Sequence, residues 1–375
     1  MDKINTKELT KNEVIEPKLT IGSFWDSIVK TLSSYWQNDS NEWQEVPTEF
    51  SNKTSYLDFV ESKFIECFRE KWYSEEPAVE ITSQVDKTVD FVWSKISTLK
   101  KYLLNEDFWD KWRFLIQNSM KLKNLKSLKD DVHQVFWSYY KCMWILAKPD
   151  LNLVVNDTFD YFLDSKYLDI PPENLCIKIN SNDVDLMEAI SSLDPKILRE
   201  IDKSPVNHYV HRYWMDDRNI SWRDFNIGVK KKWTDEFFTC ATFVIMGNWE
   251  RNIAIDMWIG NLSLSMCKFW EQSTIASSRI ADIIQIKNVI QEKFADSLIA
   301  VATLLKEDII NHKSRHFRKK FRIFVSALNY RNKQIWFNVD ELVEIIVKYL
   351  NMEYLEDFSK YKDYYKYILN SYKNI

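Results

Sequence analysis

Apolar residues recur at three- and four-residue spacing along much of the chain, the rhythm of a helix that buries one face. Trp25, Ile28, Val29, Leu32 and Trp36 keep this rhythm behind Ser23, which is placed to cap a first helix. Further helices are predicted over 55–72, 86–104, 107–120 and 126–147, separated by polar loops such as Gln37 to Asn41 and Ser74 to Pro77. Asp194-Pro195 and Ser204-Pro205 each set a cap residue before a proline and predict two sharp helix starts. From Ile283 onward, Ile286, Val289, Ile290, Phe294, Leu298, Val301 and Leu305 predict a long core helix. Phe237 to Trp249 is a run of 13 residues without a charge. It is too short for a membrane span, which needs about 20, and is predicted as a buried helix.

Tyr354, Phe358, Tyr361, Tyr365 and Tyr372 carry the helical rhythm to the C-terminus, and seven of the 18 tyrosines fall in 349–375. A tyrosine stripe suits a helix half buried on the body, with its hydroxyls wet. Between Lys148 and about Asp185 the pattern breaks, with Pro149, Pro171 and Pro172 among many Asn and Asp residues. Leu175-Cys176-Ile177-Lys178-Ile179 alternates and reads as one short strand, with no evident partner nearby. The expected organisation is all-α and aromatic-rich. It comprises a polar arm over 1–20, a helical lobe over 21–147, an irregular junction over 148–185 and a second helical lobe over 186–375.

Glycine sharpens this reading. Only four glycines occur in 375 residues, where ordinary usage of about 7% would supply roughly 26. Glycine lets the backbone reach positive φ or press against a phosphate, so its scarcity points to helix and away from nucleotide-cradling loops. No GxGxxG, GxxxxGK[ST] or GxSxG is present, which excludes the dinucleotide, P-loop and hydrolase-elbow chemistries. The five cysteines are widely spaced and form no CxxC pair, and Met1 to Glu8 is polar rather than a secretory leader. These features predict a reduced protein, cytoplasmic or otherwise intracellular, without a membrane span, and they imply no cofactor.

The net charge of −4 gives no whole-molecule attraction to nucleic acid, so such contact would need a local patch. The densest one runs from His312 to Arg322, and no acid occurs from Ile309 to Val339. Lys313, Arg315, Arg318, Lys319, Lys320 and Arg322 are candidate phosphate contacts, and Phe317, Phe321 and Trp336 are rings that would stack on unpaired bases. Lys111 to Lys129 and Lys230-Lys231-Lys232 are further basic runs. The function expected is a non-catalytic helical binding protein that engages RNA, single-stranded DNA or another polyanion near 312–337. The alternative is an adaptor, inhibitor or scaffold that meets a protein partner through the tyrosine-rich C-terminal helix.

His208 and His211 share a helix face near Asp216 and Asp217, but no HExxH or paired ExxH accompanies them, and cations surround His312 and His316. No metal site is predicted from histidine. Asp130-Asp131 and Asp216-Asp217 resemble the DDxxD-type motif of class I terpenoid cyclases, with Gln134 and Ile220 where the third acid would stand and Asp282 as the downstream acid. That resemblance implies a helical enzyme whose Asp pair holds magnesium and diphosphate.

Overall fold

A computed structural model describes residues 50–86, 89–94, 96–105, 112–204, 211–212, 220–248 and 251–373. In chain order the elements are α1 (Lys53–Glu70), β1 (Ser74–Glu75), α2 (Ile96–Asn105), β2 (Arg113–Met120), β3 (Tyr139–Ala147), α3 (Leu151–Leu163), β4 (Leu175–Asn180), α4 (Val184–Ala189) and β5 (Leu198–Asp202). Next come β6 (His211–Arg212), β7 (Ser221–Lys230), β8 (Phe237–Gly247), β9 (Asn252–Gly260), α5 (Asn261–Phe269), α6 (Val289–Lys306), α7 (Arg315–Ile335), α8 (Val339–Tyr354) and α9 (Lys362–Ser371). The strands form one mixed sheet in the order β1-β2-β3-β9-β8-β7-β4-β5, with β6 also paired to β7. The pairs from β2 through β7 to β4 are antiparallel, whereas β1–β2 and β4–β5 are parallel. The chain is therefore α/β, which corrects the all-α expectation.

The correction has a physical cause. Strands β3, β8 and β9 lie in the middle of the sheet and are covered on both faces, so they read as nearly continuous apolar runs. A continuous run carries no period of two and is indistinguishable from a buried helix by spacing alone. Hence residues 113–120 and 139–147, expected within helices, are β2 and β3, and the apolar run from Phe237 is β8. Asp194 accepts the Lys196 N–H at 2.8 Å and opens a turn into β5, not a helix. The 148–185 region holds α3 and β4, and β4 finds its partners β7 and β5 well downstream. The helix expected from Ser23, Pro205, His208 and the Asp216-Asp217 pair lie outside the described residues.

Alternation along the strands sorts the side chains. Phe225, Phe243 and Ile245 face one side, where Val60, Phe64 and Phe68 of α1 and Phe159 and Phe162 of α3 complete the larger sheet core. Phe225 and Phe243 are register partners and stack with centroids 4.8 Å apart. The other side carries Trp144, Leu146, Val244 and Met246, partly covered by Leu99 and Leu103 of α2.

Helices α6 to α9 form a separate apolar cluster around α6, which is buried along nearly its whole length. Side chains tie this bundle to the sheet by accepting or supplying backbone hydrogen bonds. Asp296 accepts the Ser138 and Tyr139 N–H groups at 2.9 and 3.4 Å, and Glu307 accepts those of Ile81 and Thr82 at 2.7 and 2.9 Å. Each bond gives a buried donor a partner it would otherwise lack. At the start of α8, Asn338 and Glu341 form a capping box. Asn338→Ala is expected to cost about 1 kcal/mol of unfolding free energy in a denaturant titration, because two first-turn N–H groups lose their acceptor.

Candidate ligand site on the second face of the sheet

The second face holds a cavity of about 520 Å³ whose floor is a cross-strand grid. Register aligns Trp222 with Met246 and Ala254, Asp224 with Val244 and Asp256, and Asn226 with Thr242, Trp258 and Trp144. The Thr242 hydroxyl donates to the Asn226 side-chain oxygen at 2.8 Å, and the Trp144 and Trp258 rings lie 6.3 Å apart. The segment after β2 raises the opposite wall with Lys121, Phe136 and Trp137. Gly260 closes one corner where β9 runs directly into α5. A Cβ there would come within 2.9 Å of the Ser263 hydroxyl oxygen, so a larger residue at this junction would have to displace the Ser263 side chain.

Two carboxylates stand in this mostly apolar space. Asp224 on β7 and Asp256 on β9 are both buried and both sit across from Val244 of β8. Two strand spacings put their Cα atoms about 9–10 Å apart. Burial first, and the neighbouring Asp183 charge second, push the Asp224 carboxyl up to about 7. The guanidinium of the adjacent Arg223 is bound by Asp185 at 2.6 and 2.7 Å and by Asp183 at 3.1 Å.

A charged network adjoins the cavity at Lys141. Lys141 meets Glu353 at 2.8 Å and Glu61 at 3.2 Å, and Arg279 meets Asp58, Glu61 and Glu353 at 2.6, 3.2 and 3.3 Å. The Tyr139 hydroxyl donates to Glu353 at 2.9 Å, and the Asn261 amide to Glu61 at 2.7 Å. Burial opposes the Lys141 charge, but Glu353 and Glu61 hold its pKa above the usual lysine value. The network joins α1, β3, the start of α5 and α8 at the edge of the cavity.

The residues expected to bind polyanions are placed differently from one another. Phe317 and Phe321 on α7 are buried, packed on Phe91 at 5.1 Å and edge-on to Tyr372 at 5.6 Å. Buried rings offer no face to a base. Arg318 donates to the His312 carbonyl, and Lys320 lies 3.8 Å from Asp90. Lys313, Arg315, Lys319 and Arg322 are exposed. Trp336 is exposed too, but it follows the last turn of α7, about 30 Å along the axis from Arg315. Of the other basic runs, Lys121 reaches the cavity and Lys129 bonds Ser326 at 2.9 Å.

The acids of the cyclase-like motif are used structurally. Asp130 pairs with Lys293 at 3.0 Å and Asp131 with the buried Arg331 at 2.7 Å, while Asp282 accepts the Lys53 and Thr54 N–H groups at the start of α1. Among the described residues no group of three or more His, Cys, Asp or Glu could hold a metal ion, and no helix is long and apolar enough to cross a membrane. Asp224 and Asp256 were not singled out from the sequence. The available signal was one acid within an apolar strand run, as in Ile255-Asp256-Met257-Trp258-Ile259, and it becomes visible only once the run is known to be a strand.

No family model matches the chain. No curated protein matches it either. Among solved structures it is similar to an aspartyl-tRNA synthetase from Entamoeba histolytica, with 9% identity, 68% of this chain and 66% of that one covered, and a TM-score of 0.38. A histidyl-tRNA synthetase from S. aureus shows 13% identity, coverage of 62% and 71%, and a TM-score of 0.37. A pyrrolysyl-tRNA synthetase from Desulfitobacterium hafniense shows 10% identity, coverage of 68% and 79%, and a TM-score of 0.36. Likenesses at this level say nothing of what this chain binds.

The expected function is corrected together with the fold on which it rested. A helical binding protein reading polyanions through 312–337 needed an all-α frame and exposed phenylalanines, and the structure has neither. The adaptor reading needed one long tyrosine-rich helix. Leu355 in the left-handed region instead ends α8, and Tyr365 is buried in the separate α9. The cyclase reading needed a helical cup and convergent acids, whereas the chain folds around a sheet, Asp130 and Asp131 are ion-paired and Asp282 caps α1.

Proposed function

We propose that the cavity on the second face of the sheet binds a small organic amine with an apolar body. The observation that carries this reading is the row Asp224-Val244-Asp256, two buried carboxylates flanking one apolar residue on the cavity floor. An ammonium group over Val244 would have an acid on each side, and the indole faces of Trp144, Trp222 and Trp258 favour cations and apolar groups alike. A largely apolar pocket with a few convergent polar groups is the usual form of a small-molecule site. A hard divalent cation would want six or more oxygen ligands, and indole, phenyl and methyl groups make up much of this lining.

Binding is linked to pH through Asp224. Its carboxyl titrates near 7, so an arriving ammonium ion displaces a proton at and below neutrality and meets a ready carboxylate above it. Affinity for amines is therefore expected to rise with pH through 7. Saturation-transfer NMR with tyramine and cadaverine, each beside the alcohol that replaces its amine, checks the reading. Signal from the amines alone is expected, with its loss in Asp256→Asn; equal signal from amines and alcohols would sink the proposal.

A further inference from the structure

Among the described residues, seven that are not glycine have φ in the left-handed region: Trp72, Asp169, Trp233, Trp270, Asp308, Trp336 and Leu355. No described glycine does. Four of the seven are tryptophan, where a usage of 16 in 375 would place about 0.3. Aspartate tolerates this region through its short polar side chain, whereas a bulky residue crowds its Cβ against the following carbonyl.

Each of the four stands where a backbone normally takes glycine. Trp72 follows α1, with its N–H on the Arg69 carbonyl at 3.1 Å and the Tyr73 N–H on that of Phe68 at 3.0 Å, the paired bonds of a Schellman cap. Trp270 follows α5, with its own N–H and that of Glu271 both on the Met266 carbonyl, the latter at 3.1 Å. Trp336 ends α7 by a single bond to the Asn332 carbonyl at 2.7 Å. Trp233 is the third residue of the turn between β7 and β8, closed by the Thr234 N–H on the Lys231 carbonyl at 3.1 Å, where positive φ selects glycine.

The indoles themselves are exposed. Trp72, Trp233, Trp270 and Trp336 are 90%, 75%, 47% and 76% exposed, although tryptophan is highly buried on average. Trp233 and Trp270 touch edge to face at 6.0 Å and Lys232 lies over Trp233 at 4.3 Å, but none of the four lines the cavity.

We infer that positions 72, 233, 270 and 336 are glycine in the protein as its own cell makes it, their codon being UGA, written here as tryptophan and decoded by that cell as glycine. One change of decoding accounts for both the left-handed backbone and the exposed indoles at these four positions. The caps and the turn keep every backbone bond, because none of those bonds uses the side chain. The cavity tryptophans Trp144, Trp222 and Trp258 lie in strands with ordinary φ and make no such demand.

Peptide-mass mapping of the protein purified from the cells that encode it decides the matter. Peptides spanning the four positions are expected to be lighter by one indolylmethyl group per position than tryptophan would make them. Tryptophan at any of the four overturns the inference. A second measurement needs only recombinant full-length chain, comparing it as written with Trp72→Gly, Trp233→Gly, Trp270→Gly and Trp336→Gly combined. Relief of four left-handed side chains is expected to raise Tm by roughly 5–10 °C. An unchanged or lower Tm would equally overturn it.

Discussion

Arg279→Met is expected to lower the unfolding free energy by roughly 3–5 kcal/mol, the cost of leaving buried charges without their partner. Arg279 is buried and meets three carboxylates, Asp58, Glu61 and Glu353. Without it Lys141 is left as the cation facing Glu61 and Glu353, and the burial of Glu353 opposes an uncompensated negative charge. Urea unfolding followed by tryptophan fluorescence measures the loss as a lower midpoint at unchanged slope. Adding Glu353→Gln should recover part of it, because the second change removes one of the stranded charges. A loss below about 1 kcal/mol would show that water reaches the network and screens it.

Asp224→Asn should have the opposite effect on stability. The folded-state pKa of Asp224 is about 7 against an ordinary carboxyl value of 3.8, so the folded chain holds this proton more tightly than the unfolded one. As pH rises from about 4 to 7 the unfolded chain gains by ionising while the folded chain does not, and stability falls. Asparagine removes that fall. The variant is expected to be more stable than the parent by about 2–4 kcal/mol at pH 8 and nearly equal to it at pH 4, as read from paired denaturant titrations at the two pH values. The same variant should lose amine binding, so stability and function trade against each other at one residue. Equal stability of the two proteins at pH 8 would mean that the cavity does not hold Asp224 away from water.

The helices that bury one stripe were legible in the sequence, and the strands buried on both faces were not. Phe294, Leu298, Val301 and Leu305 do lie on one long core helix, α6, as their spacing predicts. In β8, Phe243-Val244-Ile245-Met246 is apolar at every position because Phe243 and Ile245 enter one core and Val244 and Met246 the other. Glycine scarcity points to helix by itself, whereas Trp72, Trp270 and Trp336 stand at helix ends, and Trp233 in a β-turn, in the backbone conformation glycine ordinarily supplies. The site was hidden for a related reason. Asp224 and Asp256 lie 32 positions apart in the chain and meet only through β8, so no motif spacing could join them. The charge-rich stripe near 312–322 drew attention by density, although its phenylalanines belong to the core of the helical bundle.

Calorimetric titration of the full chain with tyramine and with its alcohol counterpart, at pH 6 and pH 8, tests the amine site most directly. Tyramine is expected to bind up to about tenfold more tightly at pH 8, to release a proton at pH 6 that appears as a buffer-dependent heat, and to lose its binding in Asp224→Asn. Equal affinity for the alcohol, or tyramine binding that survives Asp224→Asn at both pH values, would contradict the account.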